Sequence, residues 1–321
     1  MTCAGGTESA PRCPPATVTR ERRTTLLTDD GVPIEARYEP SPTPGAEPSG
    51  TLALVLGHGF TGSLERPALR RVASAFRQRT AVITFSFRGH GRSGGRSTVG
   101  DREVLDLAAA VAWARRLGHR RVATVGFSMG GSVVIRQAAL YGTGHGENEE
   151  IRPMQDVHHG GRTGRSQRRT APAPGPAPGR APDAAPGPAP DAAPDAVIAV
   201  SAPARWYYRG TAPMRRVHWA VTRPTGRLVS RYGLRTRIDP RGWGVDPLPP
   251  VAAAPLIAPT PLLIVHGDRD PYFPLDHPRM LASAADPSST ELWIEPGFGH
   301  AETAASPALL TRIADWAAAH T

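Results

Sequence analysis

Short runs of consecutive apolar residues alternate along this chain with longer stretches in which apolar residues recur every three or four positions. The first kind of run is typical of a strand buried on both faces of a sheet, and the second is typical of an amphipathic helix. The pattern predicts strands at residues 51–56, 81–87, 122–125, 195–201, 261–270 (ending in a polar turn) and 291–294. It predicts helices at residues 67–79, 103–117, 132–140, 275–285 and 307–320. Because strands and helices alternate, we expect a mostly parallel, twisted sheet with helices on both faces.

The sequence indicates a β-hairpin ahead of the first buried strand. Residues 24–27 and 32–38 are strand-like and flank an Asp-Gly pair at residues 30–31, which favours a tight turn. Residues 1–23 are polar and contain Pro and Gly, so we predict that they form a disordered tail. The folded domain is therefore expected at residues 24–321.

Two long segments interrupt the alternation of strands and helices. Residues 144–195 begin with His, Glu and Arg clusters and continue as a low-complexity repeat of Ala, Pro, Gly and Asp. We predict a disordered surface insertion there, without a metal site, because such a composition buries too little apolar surface to offset the ordering entropy. Residues 203–255 combine many arginines with Trp206, Tyr207, Tyr208, Trp219, Tyr232 and Trp243. We interpret this segment as a small cap that turns aromatic and apolar side chains toward the functional site.

The composition restricts the possible functions. The 321 residues carry a formal charge of +10, and every Lys or Arg position is Arg. No base-reading motif or aromatic platform accompanies this charge, so we do not expect nucleic-acid binding. No apolar run approaches the ~20 residues of a membrane span, and the first residues do not resemble a signal peptide. The two cysteines, Cys3 and Cys13, lie in the tail, which favours a cytoplasmic protein.

The predicted strand at residues 122–125 leads into Gly-Phe-Ser-Met-Gly, and helical sequence follows directly. A sharp strand-to-helix turn crowds the backbone, so glycine is favoured two positions before and two positions after the residue at its apex. Gly126 and Gly130 meet this requirement and leave Ser128 at the apex. The positive end of the helix dipole would then point at the serine hydroxyl. Ser128 is therefore our candidate nucleophile.

A serine hydroxyl needs a general base before it can attack an acyl carbon. His300 is the best candidate, because it lies in a Gly-rich turn after the last predicted strand, where a loop can present its ring. His58, His90 and His266 are the alternatives. His58 and His266 directly precede glycines and resemble structural parts of strand-end turns.

The base in turn needs a carboxylate that fixes its tautomer and stabilises its cation. Asp270 is the best candidate, because it lies just past the end of a predicted strand in a loop stiffened by prolines. Asp268 is the alternative, and it could instead cap the turn. Glu295 and Glu302 are weaker candidates, since both lie close to His300 in the sequence.

The negative charge that develops on an attacked carbonyl needs two backbone N–H donors. We expect one from Met129, the residue after the nucleophile. We expect the other from Phe60, because Gly59 allows a tight bend after the strand at residues 51–56. The Arg-Gly-His-Gly-Arg-Ser motif at residues 88–93 shapes a neighbouring turn or pairs Arg88 with a carboxylate, and we assign it no catalytic step.

Taken together, these motifs resemble those of the α/β-hydrolase superfamily, in particular serine esterases, lipases and serine peptidases with a short cap. The resemblance covers residues 24–142 and 196–320 and rests on the motifs at residues 58–60, 88–93, 126–131, 266–270 and 299–300. It implies the α/β-hydrolase fold, with a nucleophile, an acid and a base in the chain order Ser128, Asp270 and His300. It also implies hydrolysis of a small acyl compound through an acyl-enzyme, without a metal or an organic cofactor. The insertion at residues 144–195 is a departure that this family does not require.

Several alternatives stay open at this level. The same residues could transfer the acyl group to an acceptor other than water, or catalyse perhydrolysis of the cofactor-free haloperoxidase kind. The chain could also be a non-catalytic binding protein that acts through its Arg-rich insertion. The sequence does not decide between ester, thioester and amide substrates, and it does not fix the oligomeric state.

Overall fold

The computed structural model describes residues 20–43, 47–142 and 190–321. These residues build an eight-stranded sheet in which the strands, counted in chain order, lie side by side in the order 1-2-4-3-5-6-7-8. The second strand pairs antiparallel with both of its neighbours, and the remaining six strands, from the fourth to the eighth along this order, pair in parallel. Because the order reverses direction around the third strand, loops at the carboxyl ends of the central strands meet at one edge.

The elements agree closely with those that the hydrophobic pattern predicts. The strands are β1 (Arg22–Leu27), β2 (Pro33–Glu39), β3 (Leu52–Gly57), β4 (Ala81–Phe85), β5 (Arg121–Phe127), β6 (Ala196–Val200), β7 (Leu262–Gly267) and β8 (Thr290–Glu295). The helices are α1 (Pro67–Arg77), α2 (Glu103–Arg116), α3 (Met129–Tyr141), α4 (Ala212–Thr222), α5 (Pro224–Tyr232), α6 (Pro250–Ala253), α7 (Asp276–Ala284), α8 (Ala301–Ala304) and α9 (Pro307–Ala319).

The sheet separates two apolar cores. On one face, alternate β3 residues such as Val55 pack with apolar side chains of α2, α3 and α7. On the other face, Leu54 and its alternate neighbours pack with α1 and α9. This burial on both faces explains why the central strands are continuous apolar runs. The predicted mostly parallel sheet with helices on both faces is confirmed.

Most predicted strands and helices differ from the observed ones by one to three residues at an end. The two segments predicted to be disordered are each too long, since β1 begins within the first and a 3-10 helix at Pro190–Ala192 lies within the second. The first strand begins at Arg22, because β2 offers its edge for pairing and Arg23 forms an ion pair with Glu65 at 2.7 Å. Before β6, the Asp195 carboxylate accepts the Val122 N–H at 2.6 Å, which fixes the end of the predicted insertion. The rest of the predicted tail and insertion, residues 1–19 and 144–189, lies outside the described residues.

The chain between β6 and β7 carries α4, α5 and α6 and contains the segment interpreted as a cap. Its residues Thr236 and Ile238 form isolated β-bridges to His90 and Ser97, in the loop that follows β4. The segment is therefore fastened to the edge of the sheet where the strands end. Within the described ranges, none of the helices has the length and apolar character needed to cross a bilayer.

Candidate active site

Ser128 lies in a strained turn between β5 and α3. Its backbone angles are φ 54° and ψ −113°, in a region that residues with side chains rarely adopt. A Cβ atom at Gly126 would overlap the Gly130 carbonyl group, and one at Gly130 would overlap the Gly57 carbonyl group. Both glycines are therefore required for the close packing that holds Ser128 at the carboxyl edge of the sheet.

The loops after β7 and β8 bring Asp270 and His300 to this serine. The Ser128 hydroxyl donates a hydrogen bond to His300 Nε2 at 2.9 Å, and His300 Nδ1–H donates to Asp270 Oδ2 at 2.7 Å. The His300 ring also stacks on Tyr272, with 4.2 Å between the ring centroids. The Asp270 side chain is fully buried, whereas His300 is 14% exposed. These three side chains form a continuous hydrogen-bonded relay from the protein interior to Ser128.

The surroundings of Asp270 favour its ionised form. Its Oδ1 accepts the backbone N–H groups of Tyr272 at 2.8 Å and Phe273 at 3.1 Å. Burial by itself raises the pKa of Asp270, but the hydrogen bonds from His300 and from the two N–H groups outweigh burial and hold the pKa below its ordinary value. Asp270 therefore presents a carboxylate that can fix the tautomer of His300 and stabilise its cation.

The alternative acids occupy other positions. Asp268 fixes a neighbouring loop, since its Oδ1 accepts the Gly297 N–H at 2.6 Å. Glu295 forms an ion pair with α9 at the surface. Of the carboxylates in the described ranges, Asp270 is the one hydrogen-bonded to His300. The hydrogen bonding therefore favours Asp270 over Asp268 as the carboxylate partner of His300.

The other histidines considered as bases hold loops together. His58 Nδ1–H donates to the Gly59 carbonyl oxygen at 2.7 Å, and its Nε2 accepts the Phe87 N–H at 3.0 Å. His90 and His266 are also fully buried and bond to backbone groups. Burial lowers the pKa of all three imidazoles and favours their neutral forms. Both ring nitrogens of His58 are engaged, so it is a structural part of its turn.

The two backbone N–H groups expected to bind an oxyanion flank Ser128. Met129 is the first residue of α3, so its N–H has no acceptor within that helix. Phe60 lies in a turn closed by a 2.9 Å hydrogen bond from the Gly62 N–H to the Gly59 carbonyl oxygen. This turn packs against the nucleophile, since a Cβ atom at Gly59 would lie 3.4 Å from the Ser128 Cβ. Phe60 and Met129 both border the space in front of Ser128.

A cavity of about 230 Å³ opens in front of Ser128. The segment at residues 203–255 supplies much of its wall, through Trp206, Tyr207, Tyr208, Met214, Val217, Val221, Ile238 and Trp243. The expectation that the aromatic residues of this segment face the site is correct for the four aromatic residues in this wall, which are Trp206, Tyr207, Tyr208 and Trp243. It is wrong for Trp219 and Tyr232, which are 45% and 71% exposed. The reason is that these two lie on the sides of α4 and α5 that face away from the cavity.

A sequence model of the alpha/beta hydrolase family matches residues 54–312. The chain belongs to the α/β-hydrolase family. A search of curated proteins found no match to the sequence.

Solved structures resemble this α/β-hydrolase at low sequence identity, so they establish the fold alone. The esterase Pf2001 of Pyrococcus furiosus is 19% identical, with a TM-score of 0.60 over 94% of this chain and 93% of that chain. The α/β hydrolase GrgF of Penicillium sp. sh18 is 17% identical, with a TM-score of 0.60 over 94% and 99%. Est1E of Butyrivibrio proteoclasticus, solved with ferulic acid bound, is 17% identical, with a TM-score of 0.51 over 92% and 99%.

Sequence reasoning missed the position of one carboxylate in this α/β-hydrolase. Glu302 was considered only as a weak partner for His300, but its Oε1 accepts the Gly59 N–H at 3.2 Å. It therefore contacts the turn that carries Phe60. No local pattern could have indicated this, since the two bonded residues are 243 positions apart.

Proposed function

We propose that this α/β-hydrolase is a serine hydrolase that cleaves carboxylic esters through an acyl-enzyme on Ser128. The observation that carries the proposal is the relay from buried Asp270 through His300 to the Ser128 hydroxyl, with hydrogen bonds of 2.7 and 2.9 Å. This relay ends at the wall of an apolar cavity that can hold an acyl group. Such a combination of nucleophile, base and orienting acid is what acyl transfer requires.

In the first half of the reaction, the ester carbonyl carbon is attacked by Ser128 Oγ while His300 Nε2 takes the hydroxyl proton. The carbonyl oxygen becomes an oxyanion, which the N–H groups of Phe60 and Met129 stabilise. The imidazolium that forms on His300 is stabilised by the Asp270 carboxylate. His300 Nε2–H then donates its proton to the alcohol oxygen as the ester bond breaks, which leaves the acyl group on Ser128.

In the second half, water replaces the alcohol. His300 removes a proton from the water as its oxygen attacks the acyl carbon, and the same N–H groups stabilise the second oxyanion. His300 then returns the proton to Ser128 Oγ as the acid leaves. The cycle consumes one ester and one water, releases an alcohol and an acid, and returns Ser128 and His300 to their starting protonation states.

The cavity favours an uncharged, largely apolar acyl group. The indole N–H groups of Trp206 and Trp243 donate to backbone carbonyl oxygens at 2.7 and 2.6 Å, so the two rings offer apolar surface to a ligand. Arg205 and Asp239 reach the cavity, but each forms an ion pair with a neighbouring side chain. The likeness in fold to esterases, such as Pf2001 of Pyrococcus furiosus, supports this class of substrate.

The decisive experiment is covalent labelling with a fluorophosphonate, which traps an activated serine. We expect wild type to be labelled and Ser128→Ala and His300→Ala to lose labelling. Ser132→Ala is the matched control, because Ser132 also borders the cavity but hydrogen-bonds the Met129 carbonyl oxygen. Full labelling of Ser128→Ala would overturn the proposal.

A second measurement addresses the bond that is cleaved. Wild type is assayed with p-nitrophenyl esters of increasing chain length and with a matched thioester and anilide. We expect kcat/KM to be highest for esters and to rise with acyl length until the cavity is filled. If the protein is labelled by the fluorophosphonate but hydrolyses the anilide or the thioester faster than the ester, the serine mechanism is supported and the ester preference is refuted.

A further inference from the structure

Among the described residues, the exposed large apolar side chains are concentrated in the segment between β6 and β7. Of the eight large apolar side chains that the described ranges leave exposed, one is Leu27 on β1 and the others lie between residues 207 and 245. The central part of this surface, which we call the α4–α5 face, comprises Trp219, Leu228, Val229, Tyr232 and Leu234. Contiguous exposed apolar surface of this kind marks an interaction site.

Helix α5 buries its small residues and exposes its large apolar ones, which is the opposite of an ordinary amphipathic helix. Its buried positions are Gly226 and Ser230, and a Cβ atom at Gly226 would overlap the Trp219 carbonyl group of α4. Close packing against α4 therefore uses the small residues of α5. Leu228 and Tyr232 point outward instead and are 59% and 71% exposed. The exposed parts of these apolar side chains are not covered by the described fold, so they are available to a ligand outside it.

The charge around this face is strongly positive. Residues 203–255 contain ten arginines and two aspartates. The exposed arginines next to the apolar residues have no carboxylate within ion-pair distance in the described part of the chain; they are Arg215, Arg216, Arg223, Arg231 and Arg235. The face thus combines apolar and aromatic side chains with unpaired guanidinium groups.

We propose that the α4–α5 face docks reversibly on an anionic lipid surface. A membrane interface supplies an acyl layer for the apolar side chains of α5 and anionic head groups for the arginines around them. Trp219 and Tyr232 are of the residue types that favour this interface. Docking needs only the α4–α5 face to lie on the lipid surface, without insertion across the bilayer.

The charge argues against other occupants of the face. Two copies of this chain packed through the α4–α5 face would bring their arginines together, and like charges disfavour such a contact. Residues 143–189 contain six arginines and five acidic residues, with few large apolar side chains to match Leu228 and Tyr232. An anionic lipid surface is complementary both to the apolar side chains and to the arginines of the α4–α5 face.

Docking would place the lipid next to the cavity. Helix α4 lies between the two, since its Met214, Val217 and Val221 border the cavity while α5 packs on its other side. A surface that loosened the α4–α5 pair would give acyl compounds in the lipid a short route to the cavity. The docking itself does not depend on catalysis by Ser128, so it is tested without an activity assay.

The first test is co-sedimentation of the full chain with vesicles of phosphatidylcholine, with and without phosphatidylglycerol. We expect binding to the anionic vesicles that weakens with added salt and is unchanged in Ser128→Ala. Leu228→Ser combined with Tyr232→Ser should lower the partition coefficient about tenfold or more, because two apolar side chains lose burial. Leu27→Ser is the matched control, since Leu27 is 70% exposed but lies outside the face, on β1, and it should bind like wild type.

The second test removes charge. Arg231→Gln combined with Arg235→Gln should lower the partition coefficient by more than about tenfold, since each arginine near an anionic surface contributes roughly fivefold. The matched control is Arg116→Gln combined with Arg120→Gln, at the opposite ends of the strands, and it should change binding little. Circular dichroism of each variant verifies that the fold is intact.

Several outcomes would overturn the proposal. Equal binding to neutral and anionic vesicles would show that the arginines do not contribute to lipid binding. Absence of vesicle binding, together with a dimer that Leu228→Ser dissociates in light scattering, would assign the face to a second copy. Vesicle binding only after deletion of residues 143–189 would show that this segment occupies the face. Tighter binding to polyglutamate than to the vesicles would indicate an acidic protein partner.

Discussion

The Gly59 N–H donates a hydrogen bond of 3.2 Å to the Glu302 carboxylate, which joins the turn after β3 to the helix that follows His300. Glu302 is almost fully buried. Its own backbone is fixed from the other side, because Arg71 donates hydrogen bonds to the carbonyl oxygens of Glu302, Thr303 and Ala305. One carboxylate thus couples the position of the base to that of the turn expected to bind the oxyanion.

Glu302→Ala should lower kcat/KM for ester hydrolysis by about tenfold, because losing a hydrogen bond to a charged group costs about 1.5 to 3 kcal/mol, part of which falls on the transition state. The loss should appear in kcat more than in KM, since the oxyanion forms only after binding. Glu302→Gln retains an acceptor oxygen and should recover most of the activity. Equal losses in both variants would refute a role as hydrogen-bond acceptor.

Asp270→Asn should lower kcat on the order of 10⁴-fold while the enzyme remains folded, because an amide no longer fixes the productive tautomer of His300 or stabilises its cation. Ester hydrolysis and fluorophosphonate labelling rates both measure this effect. The matched variant is Asp268→Asn, which disturbs only the hydrogen bond to Gly297 and should retain most of the activity. If Asp268→Asn were the more damaging change, the assignment of the acid would be wrong.

The site residues were predictable because each follows from a local pattern. Ser128 is marked by Gly126 and Gly130, whose missing side chains make room for neighbouring carbonyl groups. Asp270 lies in the loop after the buried strand β7, and His300 lies in the loop after β8, a half-exposed strand at the edge of the sheet. In a parallel sheet such strand ends converge, so proximity followed from the alternation of elements without knowledge of the loops.

The features that the sequence did not predict depend on contacts between residues far apart in the chain, which no local pattern contains. The hydrogen bond between Gly59 and Glu302 joins two loops that meet only after the sheet is complete. Helix α5 contradicts the assumption that apolar residues face the protein, since Gly226 and Ser230 are buried there and Leu228 is exposed. For that reason the sequence misplaced Tyr232 toward the cavity.

Arg88→Gln should lower the free energy of unfolding by about 3 to 5 kcal/mol, because it leaves the buried Asp106 carboxylate without its cation. Arg88 donates to Asp106, at 2.7 and 2.9 Å, and to the partly exposed Asp30, at 2.7 and 2.9 Å. Burial by itself lowers the pKa of the Arg88 guanidinium, but these ion pairs outweigh burial and raise it. Denaturant unfolding at neutral pH measures the loss. Arg92→Gln, in the same loop but exposed, should change stability by less than about 0.5 kcal/mol. Similar effects in both variants would mean that the buried ion pairs are not the cause.

His277 gives the fold a specific sensitivity to acid. Its ring is fully buried, and its Nδ1 accepts the Ala204 N–H at 3.0 Å, close to where the chain leaves β6 for α4. Burial lowers the pKa of His277 to about 4, against an ordinary value of 6.5. Because the folded state disfavours the proton, stability is complete above about pH 6.5 and is lost progressively as the pH falls toward 4.

The size of this loss follows from the shift in pKa and is about 3 kcal/mol for His277. His277→Asn keeps an acceptor oxygen for the Ala204 N–H but cannot be protonated, so its free energy of unfolding should fall about 3 kcal/mol less than that of wild type over the same pH range. Chemical denaturation at a series of pH values measures both curves. Parallel curves for wild type and His277→Asn would show that other buried groups account for the acid sensitivity.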